Sequence, residues 1–147
     1  MTMTWTTPAT MVVGVDGSEV SMGALRWALG FAWAHGSSVT VLMTWQVPPT
    51  IMISPTKTEV DYQRPHKEMF EHVKELVSAD AEGLPVAWEF TEARPGPALC
   101  HRAEQADLLV VGAHGHGGGE GFHLGSAANY CVHHAPCPVL VHRPHAS

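Results

Sequence analysis

Leu108-Leu109-Val110-Val111-Gly112-Ala113-His114-Gly115-His116-Gly117-Gly118-Gly119-Glu120-Gly121-Phe122-His123-Leu124-Gly125-Ser126 is the stretch on which the reading of this chain turns. The apolar run 108–111 fits a strand buried on both faces, as in a parallel sheet. A loop with six glycines follows Ala113 and leads into a helix expected to begin near Gly125. Strand, glycine loop and helix in this order can form an anion site. Glycine lets the backbone approach a ligand, and a helix start offers free amides and the positive end of its dipole. Ser126 adds a hydroxyl donor. A flexible surface loop would carry the same glycines. The Lys of a GxxxxGK[ST] loop is missing, and the stretch does not fit GxGxxG with a ribose-binding acid about 20 residues on.

Working outward, Met11-Val12-Val13-Gly14-Val15 is a second continuous apolar run. It ends in Asp16-Gly17-Ser18, a turn with Ser18 positioned to cap a helix. That helix is expected over 21–34. Leu25, Ala28, Leu29 and Ala32 form its buried stripe, Trp27 and Trp33 flank it, and Gly36 closes it. Residues 39–45 form the next strand, ended by Pro48 and Pro49. Residues 46–64 read as a long loop, a length that is often functional. A helix over 65–79 would carry Pro65 in its first turn and Met69, Val73, Leu76 and Val77 on one side, with a break at Gly83. Residues 86–92 alternate, with Val86, Trp88 and Phe90 on one face, which fits a half-buried edge strand. A short helix over 98–105 precedes the strand 108–111. A helix over 125–135 and a strand over 139–141 complete the chain. This alternation of strand and helix calls for an α/β fold, a doubly wound parallel sheet with helices on both faces. Residues 1–10 read as a loose tail and 11–147 as a single domain.

Composition narrows the function. With 8 basic against 14 acidic residues the net charge is −6, which lacks the basic footprint of a nucleic-acid binder or of a protein held to an anionic membrane surface. No apolar stretch approaches the roughly 20 residues of a membrane helix, and the first residues do not read as a signal peptide. Cys100, Cys131 and Cys137 form no CxxC and no disulfide framework, which suits a reducing compartment, so a cytoplasmic location is expected. The eleven histidines outnumber all Lys and Arg together. Most of them read as surface residues without a role.

The spacing Gly112-x2-Gly115-x9-Gly125-Ser126 resembles the nucleotide motif of the universal stress protein family, G-x2-G-x9-G-[ST]. The resemblance covers nearly the whole chain. Val13-Gly14-Val15-Asp16-Gly17-Ser18 is similar to the family's first strand and turn, Ala106-Asp107-Leu108-Leu109-Val110-Val111-Gly112 to its fourth strand, and His134-Ala135-Pro136-Cys137-Pro138-Val139-Leu140-Val141 to its last. The resemblance implies a five-stranded sheet in the order 3-2-1-4-5 and a regulatory, stress-response protein that binds ATP, AMP or ADP. It also implies roles by position. Val15, Asp16 and Thr44 would border the adenine, and Gly112 would lie against the ribose. Gly115, Gly125, Ser126 and Ala127 would face the phosphates, with His114 and His116 in the same loop. Mg2+ would come with the phosphates. Val139, Leu140 and Val141 would pair two subunits into a homodimer, and the nucleotide would alter contact with a further protein partner. This chain departs from the family where His114 and His116 replace the usual Arg or Lys. Neutral histidine brings donors without a fixed charge and Glu120 adds a negative one, so weak ATP affinity is expected at neutral pH. An interaction protein whose pocket is vestigial, or takes AMP or another adenosine ligand, is the alternative.

Other constellations carry less. Cys131, His133, His134 and Cys137 contain metal-ligating types, but 131 and 133 point to different sides of a helix and no second ligand pair has finger spacing. Cys131 is expected to pack as a small hydrophobe. His133 and His134 lie about two turns from Ser126, too far to activate it. No catalytic set is evident, and any ATP hydrolysis would be slow. The five tryptophans read as packing residues, since no basic groove accompanies them.

Overall fold

The computed structural model describes residues 7–48, 57–115 and 124–144. The strands β1 (Thr10–Gly14), β2 (Ser38–Trp45), β3 (Val86–Glu92), β4 (Leu108–Gly112) and β5 (Val139–His142) form one sheet in the order β3-β2-β1-β4-β5. Every pairing is parallel. The helices are α1 (Glu19–His35), α2 (Glu59–Leu76), α3 (Ser78–Ala81), α4 (Pro95–Arg102) and α5 (Ser126–His134).

Two apolar cores follow from the period-2 alternation of the buried strands. Met11, Val13, Val39, Val41, Met43, Leu108 and Val110 face one side, where they meet Leu25, Ala28, Leu29 and Ala32 of α1 and Phe70 and Val73 of α2. Val12, Leu42, Leu109 and Val111 face the other side and meet Leu99 and Cys100 of α4 and Ala128 and Cys131 of α5. An unbroken apolar run on a central strand is therefore two half-runs, each serving one helical layer. Edge strand β3 is thinner in its burial: Val86, Trp88 and Phe90 are half-buried and Ala87 and Thr91 exposed, as the alternation predicts, while Glu89 on the second face is half-buried where it pairs with Arg102 at 3.0 Å.

The ends of α1 form as expected. The Ser18 hydroxyl accepts from Ser21 N at 3.3 Å, and Gly36 takes the left-handed C-cap conformation at φ 73°. The expected stripe is buried, whereas Trp33 is 60% exposed and donates its indole N–H to the Asp80 carbonyl at 2.9 Å.

The second helix corrects the sequence reading. It begins at Glu59 rather than at 65, because Thr58 and Asp61 stand as N-cap and N3 of a capping box, in which Asp61 Oδ2 accepts from Thr58 N at 2.8 Å and from the Thr58 hydroxyl at 3.2 Å. Pro65 consequently sits inside the helix and not in its first turn. Leu76 is 47% exposed and does not share the buried side with Val73 and Val77; Phe70 takes that place. The expected loop is shortened accordingly, and its part at 49–56 lies outside the described residues. The helix expected over 98–105 starts at Pro95 and gives way to a 3-10 turn over Ala103–Gln105.

Candidate functional site

In a doubly wound sheet the crevice opens at the C-terminal ends of the strands where the connections reverse direction. Here that point lies between β1 and β4, since β2 and β3 extend to one side of β1 and β4 and β5 to the other. A cavity of about 740 Å³ occupies it, within the ~300–1,000 Å³ of small-ligand pockets. Val15 and Asp16 line it beyond β1, Thr44 at the end of β2, and Gly112, His114 and Gly115 beyond β4. Gly125, Ser126 and Ala127 line it at the start of α5. The sequence-derived set thus converges on one cavity with the exception of His116, which lies outside the described residues.

The turn after β1 is held by its own side chains. Asp16 Oδ1 accepts from Ser18 N at 2.9 Å and from the Ser18 hydroxyl at 2.5 Å, while Asp16 N donates to the Ser21 hydroxyl at 3.2 Å. Gly17 completes the turn at φ 85°, a conformation that a side chain would strain. The N-terminus of α1 is therefore occupied by the protein's own serine. The N-terminus of α5 is different: Gly125 precedes it and no side chain among the described residues caps it. The first-turn amides of α5 are left for something else, and Ser126, Ala127 and Ala128 all border the cavity.

Close packing sets this geometry. Gly125 N donates to the Ala113 carbonyl at 2.7 Å, tying the start of α5 to the end of β4. A Cβ on Gly125 would come within 2.9 Å of the His114 Cα, so only glycine lets the two segments pass this closely. On Gly115 a Cβ would overlap Asp16 Oδ2.

The apolar wall and the far side of the cavity were not legible in the motif. Met43, Trp45, Gln46 and Pro48 contribute from β2 and beyond it, Pro95 and Leu99 from α4, and His66 from α2. Only the strand ends and α5 carry a recognisable spacing. His66 reaches the site because α2 folds back over the sheet, and nothing in its local sequence marks it. On the buried face of α5, Cys131 is fully buried, as expected of a small hydrophobe. Burial pushes its thiol up to about 12, with Cys100 and then Cys137 adding to the effect; burial also raises Cys100 and Cys137. His133 and His134 are exposed, away from Cys131. Asp16 is the cavity's carboxylate, and no group of three metal-ligating side chains occurs among the described residues. The free amides, the glycine cradle and the cavity volume fit a phosphorylated ligand.

Comparison with known proteins agrees with this geometry. The model of the universal stress protein family matches residues 9–143. A universal stress protein of Mycobacterium tuberculosis is 31% identical over 139 residues, covering 92% of this chain and 44% of its own length. The chain thus spans less than half the length of the first relatives it matches. A universal stress protein of Thermus aquaticus is 32% identical over 140 residues, covering 91% of this chain and 98% of its own length. Among solved structures, a universal stress protein in complex with cAMP superposes with a TM-score of 0.70 at 23% identity, covering 94% of this chain and 98% of the other. One from Arabidopsis thaliana with AMP bound gives 0.66 at 22% identity, covering 95% and 94%. No helix among the described residues is long and apolar enough to cross a membrane. With the family model matched over nearly its full length, the chain belongs to the universal stress protein family.

Proposed function

We propose that the cavity between β1 and β4 holds an adenine nucleotide and that occupancy regulates contact with a protein partner. The observation that carries this reading is the start of α5, which no described side chain caps, beside Gly115 and Gly125 at the point where the sheet reverses. Asp16 and Thr44 stand at the two strand ends where a purine and its ribose would lie. Ser126 and Ala127 present amides to the phosphates, and the apolar residues Met43 and Leu99 supply the dry wall a base requires. Structural neighbours that hold cAMP and AMP support the adenosine class. ATP with its Mg2+ is the ligand expected from the glycine spacing. AMP or another sparsely charged adenosine ligand is a second reading, favoured by the absence of Lys and Arg from the cavity lining.

Calorimetric titration of nucleotide-stripped protein with Mg-ATP and with AMP tests this. Saturable binding of one ligand per chain is expected, and the tighter of the two decides between the readings. Absence of heat for both ligands, from a protein shown to be folded, would remove the proposal.

Strand β5 stands at the edge of the sheet with Val139, Leu140 and Val141 half-buried. Its outer edge supports pairing with a second copy as the form in which the nucleotide signal is passed on. Sedimentation equilibrium should return twice the chain mass of 15.8 kDa. A value equal to the chain mass at micromolar concentration would exclude the pairing.

A further inference from the structure

The cavity has the backbone of a phosphate site but none of its permanent cations. All eight Lys and Arg of the chain, Arg26, Lys57, Arg64, Lys67, Lys74, Arg94, Arg102 and Arg143, lie among the described residues, and none lines the cavity. The residues outside the description contain no Lys or Arg. Two histidines do line it. His66 comes from α2 and is exposed. His114 is half-buried and directly beside the start of α5, its Cα close enough to Gly125 to forbid a Cβ there.

We propose that His114 is a proton-supplied cation of the nucleotide site, so that affinity for a phosphorylated adenosine ligand rises as pH falls through the histidine range. The inference rests on the adenine-nucleotide reading of the cavity.

Charge decides the direction. Among the described residues, Asp16 from the turn after β1 and His66 from α2 are the other titratable groups that line the cavity with His114, and the amide end of α5 borders it. Glu19 in the first turn of α1 and Arg94 ahead of Pro95 are exposed, and His116, Glu120 and His123 lie outside the described residues. A ligand phosphate beside His114 favours the imidazolium, so the histidine binds its proton more tightly in the complex than in the free protein. Linkage then gives the sign: the gain is complete below the free-protein value and disappears as pH rises through the value in the complex. Ordinary histidine titrates near 6.5, so the change falls across mild acidity. A rise of about one unit on ligand binding corresponds to a gain of about tenfold.

The ligand for the test needs a charge that does not itself change. Phosphate monoesters have a second pKa near 6, whereas cyclic AMP, a phosphodiester, keeps one negative charge throughout. Calorimetry of nucleotide-stripped protein with cyclic AMP and with uncharged adenosine, between pH of about 7.5 and about 5.5, is the experiment. Cyclic AMP should tighten about fivefold to tenfold over that range, adenosine should not change, and His114→Gln should flatten the cyclic AMP response while adenosine still binds. Retained adenosine binding shows that the variant pocket is intact. A cyclic AMP affinity independent of pH would overturn the inference. So would a pH response that survives in His114→Gln, which would move the effect to Asp16, His66 or the loop histidines His116 and His123. Failure of both ligands at every pH would instead sink the nucleotide reading itself.

Discussion

Gly115→Val is expected to weaken adenine-nucleotide binding by at least about 100-fold, roughly 2.7 kcal/mol, in a protein that still folds. Gly115 lies on the cavity floor, and a Cβ there runs into Asp16 Oδ2. The carboxylate has little freedom to move aside because its other oxygen is held by both the amide and the hydroxyl of Ser18. The valine must therefore push into the space between the strand ends, where the ribose and phosphates would lie. Gly115 has no positive φ, so the cost is one of volume inside the cavity and not of backbone strain. Calorimetry with AMP, paired with a thermal melt, separates the two. Binding kept within a few-fold of the parent would mean that the nucleotide does not approach this turn.

Leu25→Ala should cost about 3 kcal/mol of folding stability and lower the midpoint of thermal unfolding by about 6–12 °C. Leu25 has no exposed surface and stands on the face of α1 that packs against Met11, Val13 and Val110 of the central strands. Its removal leaves a void that close-packed strands on one side and a helix on the other cannot fill. A domain of this kind is stable by only about 5–15 kcal/mol, so the loss is a large share of the total. Val132→Ala on α5 is the internal control. Its side chain is 49% exposed, and a change below about 0.5 kcal/mol is expected there. A loss below about 1 kcal/mol for Leu25→Ala would mean that the core between α1 and the sheet is not packed as described.

Much of this molecule was legible before the structure, for local reasons. The runs 11–15 and 108–111 read as buried strands because residues apolar at every position fit only a sheet covered on both faces. Ser18 and Gly36 marked the ends of α1 because capping is satisfied within a few residues. The glycine spacing was legible because glycine is needed where Gly112, Gly115 and Gly125 pass close to Val20, Asp16 and His114. The second helix was misplaced for the converse reason. Pro65 is a strong local sign of a first turn, but the Thr58–Asp61 capping box starts the helix earlier and packing of Phe70 and Val73 holds it through the proline.

The sequence by itself therefore determined the alternation of strands and helices and the caps of α1, since each is set by residues close along the chain; the glycine spacing was also legible, although the contacts that require it are distant in sequence. The partition of one apolar run into two cores, the reach of His66 and Leu99 into the same cavity, and the lock of Ser18 on Asp16 against Gly115 were decided only by the tertiary structure. These contacts join segments that are tens of residues apart, and their geometry exists only once the sheet has brought the C-terminal ends of β1, β2 and β4 together.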